Sequence, residues 1–486
     1  MSFCGAKFSA IKQKLTTLCN KLGGDLCRAL AIAGLVLYVI YIIVSNPYGQ
    51  SSEFFSSLIF KNGRNSYTNT KISDIVFGIA TSAKTWRDKR PYIEEWWQPN
   101  VTRGFVWFDQ APKEYLPWPS YSPPFRVSED IKKFKEFDEH AMPNVVRLAR
   151  VILETFREVN KGVKWYVVAD DDTVLFVDNL VEVLSKYDHN GYFYIGHNSE
   201  CVGSNFDHSF SMAFGGAGYA LSYPLAKALA RNLNQCIMRY PYLFGSDHIL
   251  QSCISDLGVL ITHERGFHQI DLHSDISGFL SAHPRTPFLS LHHLDRVDPI
   301  FPLMKRPEAL KHLMKAAKVD SSRLLQQSIC YHKPNNWTFS ISWGYSAQIY
   351  EKIHPASIIE RPLQTFNPWK SSSRPPTYMF NTRLLTKDPC QAPHFFFFDS
   401  IETKTGGNQI ITNYIRRWPR KLPTCLSSGK HSADSISKIR VISPAKRLYG
   451  VGRRGECCDV VRMFGGVNGF TEVRIRECME DEMTVA

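Results

Sequence analysis

Two kinds of hydrophobic pattern divide this 486-residue chain. In the first, short apolar runs end in polar residues. Trp165-Tyr166-Val167-Val168-Ala169 is apolar at every position, β-branched and aromatic, and reads as a central strand buried on both faces. Runs at 72–81 and 104–109 have the same character. Between the runs the pattern predicts a helix that includes 90–97 and ends near Pro99, and a second helix opened by Pro143. In the second, Val145, Leu148, Ile152, Phe156 and Val159 recur at helical spacing. Five prolines make 111–125 irregular. Strand, helix, strand, helix, strand in that order predicts an α/β fold, a mostly parallel sheet flanked by helices. A helix at 178–187, a strand at 192–196, a glycine-rich turn at 214–218 entering a short strand, and a helical segment at 247–253 continue it. From Tyr331 onward the pattern changes to strict alternation, clear at 337–343 and partial at 395–401. That part reads as a separate β-rich domain over 331–486, behind a linker helix within 301–330.

The central run delivers Asp170, Asp171 and Asp172 to the carboxyl edge of the sheet, where open α/β folds bind ligands. Strand alternation sends Asp170 and Asp172 to one side and Asp171 to the other. Three adjacent anions repel unless a cation sits among them, and a hard divalent metal with oxygen ligands is the usual solution. The competing reading is a solvated acidic turn that caps the following helix. The glycines at 215, 216 and 218 permit close backbone approach to a substrate or mark a tight turn, and pattern alone does not separate the two. Histidines recur at 263, 268, 273, 283, 292 and 293, too many in one span for all to be ligands. In an extended segment His292 and His293 face opposite ways, so at most one would point at a metal.

A formal charge of +13 is spread along the chain rather than gathered in Lys/Arg blocks. No zinc-finger, basic-zipper or RNA-recognition signature accompanies it, so nucleic acid is not the expected partner, and a basic surface equally suits an anionic small substrate such as a nucleotide diphosphate. Residues 29–44 carry no charge and, as a helix, would span ~24 Å of a ~30 Å hydrocarbon core. Five basic residues against one acid precede them, so the expectation is a cytoplasmic tail over 1–28, a membrane anchor over 29–45 and a flexible stem over 46–70. Everything beyond would then face an oxidising lumen. Nine cysteines follow the anchor without a Cys-x-x-Cys pair, which predicts disulfides rather than zinc. Their odd number leaves at least one thiol free or paired between two copies in a homodimer. Adjacent Cys457 and Cys458 would bond different partners. Asn100 and Asn336 head glycosylation sequons.

Five segments in order resemble the fringe and β-1,3-galactosyltransferase group of Golgi glycosyltransferases, in particular a plant branch with an added C-terminal domain. They are 74–81 followed by Trp86, Arg90 and Trp96-Trp97; 105–109; the Asp170-Asp171-Asp172 strand; Gly215-Gly216-Ala217-Gly218; and 289–295 around His292-His293. The resemblance covers about 72–300, and in the plant branch it runs to the end. It implies a GT-A domain over 71–300 in a single-pass type II Golgi membrane protein. Asp172 would be the principal manganese ligand, Asp170 a supporting contact to metal or donor, and His293, with His292 as close alternative, the completing imidazole. Asp247 stands where such enzymes place their catalytic base. Thr81, Arg90 and Asp109 stand where the uridine and ribose are held, with Asp171, Gly215 and Gly216 also against the donor. The implied partners are a UDP-sugar donor and a glycan or glycoside acceptor, with sugar transfer by inversion, and segment 199–210 closing over the donor. Two other classes stay open: an inactive carbohydrate-binding Golgi protein on the same fold, and a two-metal phosphodiesterase.

Overall fold

The computed structural model describes residues 69–484 except 133, 135–142, 372–375, 405, 427–431, 446–454 and 465–468, together with 33, 34 and 37. The expected tail, anchor and stem fall almost wholly outside the described residues. Among those described, no helix is long and apolar enough to cross a membrane.

The fully apolar runs become the centre of the first sheet. Its strands are β1 (Ile75–Ala80), β2 (Arg103–Phe108), β3 (Phe125–Val127), β4 (Trp165–Asp170), β6 (Tyr194–Gly196), β7 (Tyr219–Ser222) and β8 (Ile261–His263). They lie in the order β3-β2-β1-β4-β7-β6-β8. The β1–β2, β1–β4, β2–β3 and β6–β8 pairs are parallel; β7 runs antiparallel to β4 and to β6. Period-two alternation divides β1 cleanly. Val76 and Ala80 face a layer formed by helices Pro143–Glu158, Tyr223–Ile237 and Ser246–Asp256. Cys236–Cys253 ties the last two of these together. Ile75, Phe77 and Ile79 face the other way, into a larger core.

That larger core is where the structure departs from the expected domain division. It takes in Trp86, Tyr92 and Ile93 of helix Trp86–Glu94 and much of helix Arg306–Ala317. It then runs without a break into Phe339, Ile341, Trp343 and Phe396 of the C-terminal strands. Residues 67–486 form one compact unit. Two small sheets bind its halves: β5 (Val174–Leu175) with β10 (Ser290–Leu291), and β9 (Leu272–Ser274) with β14 (Phe366–Pro368). The alternation after 331 made the C-terminal part look self-sufficient. Its inward residues bury in the same core as the first sheet's helices instead, since alternation marks which side chains turn inward and not what covers them.

The C-terminal strands are β11 (Gln327–His332), β12 (Trp337–Ser342), β13 (Ser346–Tyr350), β15 (His394–Thr403), β16 (Gln409–Ile415), β17 (Ile436–Pro444), β18 (Cys457–Phe464) and β19 (Gly469–Arg476). They form one sheet, antiparallel except where β17 meets β19. Its edge strands β11 and β18 come together and are joined by Cys330–Cys458, so the sheet curls toward closure and leaves little open edge. Cys390–Cys425 and Cys457–Cys478 complete the staples. Adjacent Cys457 and Cys458 do take different partners, and Cys201 is a free, buried thiol.

Segment 199–210, expected to close over the donor, has secondary structure of its own. It holds helix Val202–Asp207, with Ser199, Cys201, Ser204 and Asn205 buried. Asn205 caps the backbone of Ser199 and Cys201, and Cys201 bridges to Tyr378. Its serines and asparagine gave it a loop-like composition, but Asn205 is spent on the segment's own backbone and the Ser199 hydroxyl donates to the Asp271 carboxylate at 2.6 Å.

Candidate functional site

Strands β1 and β4 are parallel neighbours with Ala80 opposite Asp170, so the loops that follow open at one sheet edge. Asp171 turns toward β1, where its carboxylate accepts from the Thr81 hydroxyl at 2.7 Å and the Thr85 hydroxyl at 3.5 Å. Asp170 and Asp172 turn the other way. The chain then forms β5, whose pairing with β10 sets Leu291 opposite Val174 and so brings His292 beside Asp172. His292 Nε2 lies 2.9 Å from Asp172 Oδ1 and 4.0 Å from Asp170 Oδ2. Its Nδ1 sits 3.2 Å from the Gln269 carbonyl, a partner that fixes the ring.

Asp170, Asp172 and His292 each offer one donor atom within 4.8 Å of the others. Two carboxylate oxygens and one imidazole are the ligand types a Mn²⁺-like cation takes, and drawing such atoms onto one ion requires only small adjustments. The residues therefore fit the metal. His293, favoured by the resemblance, lies one place away from this triad. Its backbone is left-handed (φ 55°), which overrides the back-to-back arrangement expected of an extended pair. The His292 and His293 rings consequently lie side by side, centroids 3.8 Å apart. His293 Nδ1 approaches Asp271 at 3.3 Å, and its ring stacks flat on Trp369 at 4.6 Å.

The charges are strongly coupled. Burial pushes the Asp170 carboxyl up to about 6, with the Asp172 and Asp247 charges adding to the shift and His292 opposing it. Its side chain is still 41% exposed, an open carboxylate deep in the fold. Burial and the Asp172 charge raise Asp171 to about 7. For His292, burial works against the charged form, yet the Asp172 charge and contact outweigh it and lift the imidazole to about 9. Asp172 is held well below the usual carboxylate range, burial being overcome by His292 and Lys89.

Lys89 was not singled out by sequence. Its ammonium bridges Asp172 at 2.6 Å and Asp295 at 2.8 Å. The signal was there: Lys89 is three residues after Trp86 and four before Ile93, on the buried face of the helix. Arg90 is one step round and does not line the cavity that Lys89 enters. Arg147 was missed as well. It is buried and lines the same cavity, and its Nη1 donates to the Trp107 carbonyl. Its Nε has no hydrogen-bond partner among the described residues. Asp109 fastens the β1 and β2 edge loops together, accepting from the Ser82 hydroxyl and the Ala83 amide, each at 2.9 Å.

The glycine-rich turn is a spacer. A Cβ on Gly216 would fall 2.1 Å from the His292 ring, whereas one on Gly215 would meet Asp247 at an ordinary 3.5 Å. Gly218 is left-handed (φ 82°) and turns the chain into β7. Asp247 stands at the start of helix Ser246–Asp256 and accepts from the backbone amides of Gly215 and His248. It does not line the cavity with the carboxylates. That cavity has a volume of about 270 Å³, and a second, of about 700 Å³, is walled by 110–115 with Ala83 and Lys84.

The fold is α/β, with a mixed sheet whose carboxyl edge brings carboxylates, an imidazole and two basic side chains together, the edge at which open α/β folds bind ligands. The chain belongs to the DUF604 family, described as "Protein of unknown function, DUF604", whose model matches residues 204–458. It is also similar to a "Beta-1,3-glucosyltransferase" of Mus musculus, 31% identical over 120 residues, 24% of this chain and 23% of the mouse protein. A "Beta-1,3-glucosyltransferase" of Homo sapiens is 24% identical over 212 residues, 41% of this chain and 36% of the human protein. The matches thus span roughly a quarter to a third of those curated relatives' length.

Proposed function

We propose that this chain is a glycosyltransferase that moves a hexose or N-acetylhexosamine from a UDP-sugar to a hydroxyl of a glycan or glycoside, with inversion and β-1,3 linkage. The observation that carries the reading is the convergence of Asp170, Asp172 and His292 with the cations Lys89 and Arg147 at one sheet edge. Similarity to proteins named for β-1,3-glucosyl transfer supports it and makes UDP-glucose the first donor to test, with UDP-galactose and UDP-N-acetylglucosamine beside it. A Golgi location, anchored by 29–45, belongs to the same proposal.

Asp170, Asp172 and His292 would hold Mn²⁺, which would supply Lewis acidity toward the charge of a diphosphate leaving group. The chain's own groups do the rest. Arg147, with its unpartnered Nε, and Lys89 offer positive charge to phosphate oxygens in a site of low dielectric. Thr81 and Asp109 hold the two loops against which the nucleoside would lie. Asp247 takes the proton of the acceptor hydroxyl as that oxygen bonds the anomeric carbon and the bond from carbon to phosphate oxygen breaks, releasing UDP.

Incubating the purified chain with UDP-sugars and glycoside acceptors, with and without Mn²⁺, tests the reading. Transfer that requires Mn²⁺, vanishes in Asp172→Ala and falls by ~10²-fold or more in Asp247→Asn, with UDP binding kept in the latter, is the expected result. Wild-type turnover in Asp172→Ala removes the metal site, and full activity in Asp247→Asn moves the base elsewhere. Neither transfer nor Mn²⁺ and UDP affinity would leave the inactive carbohydrate-binding protein.

A further inference from the structure

We infer that Trp369, supplied by the C-terminal half, is a positioning residue of the acidic site: it holds His293, and through it His292, in register with Asp170 and Asp172. The inference rests on the metal reading proposed above and assigns the C-terminal half a part in the site.

Strands β9 and β14 form a ribbon in which Phe366 pairs with Ser274 and Pro368 with Leu272. One residue further, the Trp369 amide donates to the Asp271 carbonyl at 3.0 Å, which locks the indole's origin. The indole then lies between two imidazoles, with His273 at 4.4 Å and 16° on one face and His293 at 4.6 Å and 3° on the other. His292 follows His293 at 3.8 Å, so four rings form a column ending at the carboxylates.

Three features give the column its purpose. A left-handed backbone is strained for a residue with a side chain, so His293 needs a partner to stay there. Were it to relax to an extended backbone, adjacent side chains would point apart and His292 would lose its neighbour. Both indole faces are covered by imidazoles, which removes Trp369 as a stacking platform for a sugar. Trp369 is also only half-buried and outside the main hydrophobic core, so the fold does not rest on it as it does on Trp165 or Trp343.

Mn²⁺ binding to the full chain, read from the loss of the free-ion electron paramagnetic resonance signal, tests this in wild type, Trp369→Ala, Trp369→Phe and Asp172→Asn. Trp369→Ala should weaken Mn²⁺ binding by ~10-fold or more and lower kcat for sugar transfer in parallel, as loss of a support behind a ligand does. Trp369→Phe, which keeps a flat ring, should recover binding to within about threefold. Wild-type Mn²⁺ affinity in Trp369→Ala, with affinity lost in Asp172→Asn, overturns the role of Trp369 and leaves the metal reading intact. Unchanged affinity in Asp172→Asn overturns the metal reading and this inference with it. If Trp369→Ala fails to fold, Trp369→Leu replaces it, and tight Mn²⁺ binding there overturns the inference equally.

Discussion

At Gly216 the site depends on a missing side chain. A methyl there would sit 2.1–2.6 Å from three atoms of the buried His292 ring, which is wedged by Asp172 and Gln269 and cannot retreat. Gly216→Ala is expected to cost about 1–3 kcal/mol by overpacking and to reduce Mn²⁺ affinity, while Gly215→Ala, at ordinary contact distance, leaves both nearly unchanged. Thermal unfolding and Mn²⁺ titration of the pair check this. Residue by residue, legibility followed locality. The acidic triplet was readable because a strand and its alternation are local: Asp171 does part company with Asp170 and Asp172. The imidazole was narrowed to two neighbours, and the backbone angle that orders them follows from no periodicity. Lys89 was hidden by Arg90 beside it, and Arg147 by a helix judged only for its apolar stripe.

Strand and helix positions were largely readable from period, since β1, β2, β4 and helix Pro143–Glu158 each bury a continuous face. What period could not reveal was the charge inside the C-terminal sheet. Glu351, at the end of β13, is buried and accepts from His394 at 2.8 Å and from the Ala433 and Cys425 amides, with Arg420 at 3.6 Å. Burial alone would raise its carboxyl; the His394 contact and the Ala433 amide outweigh that and bring it down to about 2. A depressed carboxylate stabilises the fold fully above its ordinary value of 4.5, and that stability drains away as pH falls toward 2. The difference is on the order of 3 kcal/mol. Glu351→Gln should lower the unfolding midpoint at pH 7 and flatten the acid limb between pH 4.5 and 2, as read by circular dichroism.

For the molecule as a whole, the sequence suggested two domains where one core exists, because alternation reveals which residues turn inward but not what they meet. Tyr345 donates to the Ile300 carbonyl, Ser342 to that of Leu280, and Asn179 to that of Ser321, all across the expected boundary. A chain ending at residue 300 would bare the whole face that Phe339, Ile341 and Trp343 cover. Such a fragment is expected to bind the dye ANS and to lack near-ultraviolet circular dichroism, and a sharp, native-like melt would disprove the single core. The β9–β14 ribbon also imposes a timetable. Translation runs from the amino end, so the three aspartates leave the ribosome well before Trp369. At ~5–20 residues per second the interval is on the order of ten to forty seconds. Through that window the nascent protein carries its acids without the ring column that steadies them, so the site matures only as the last quarter of the chain arrives.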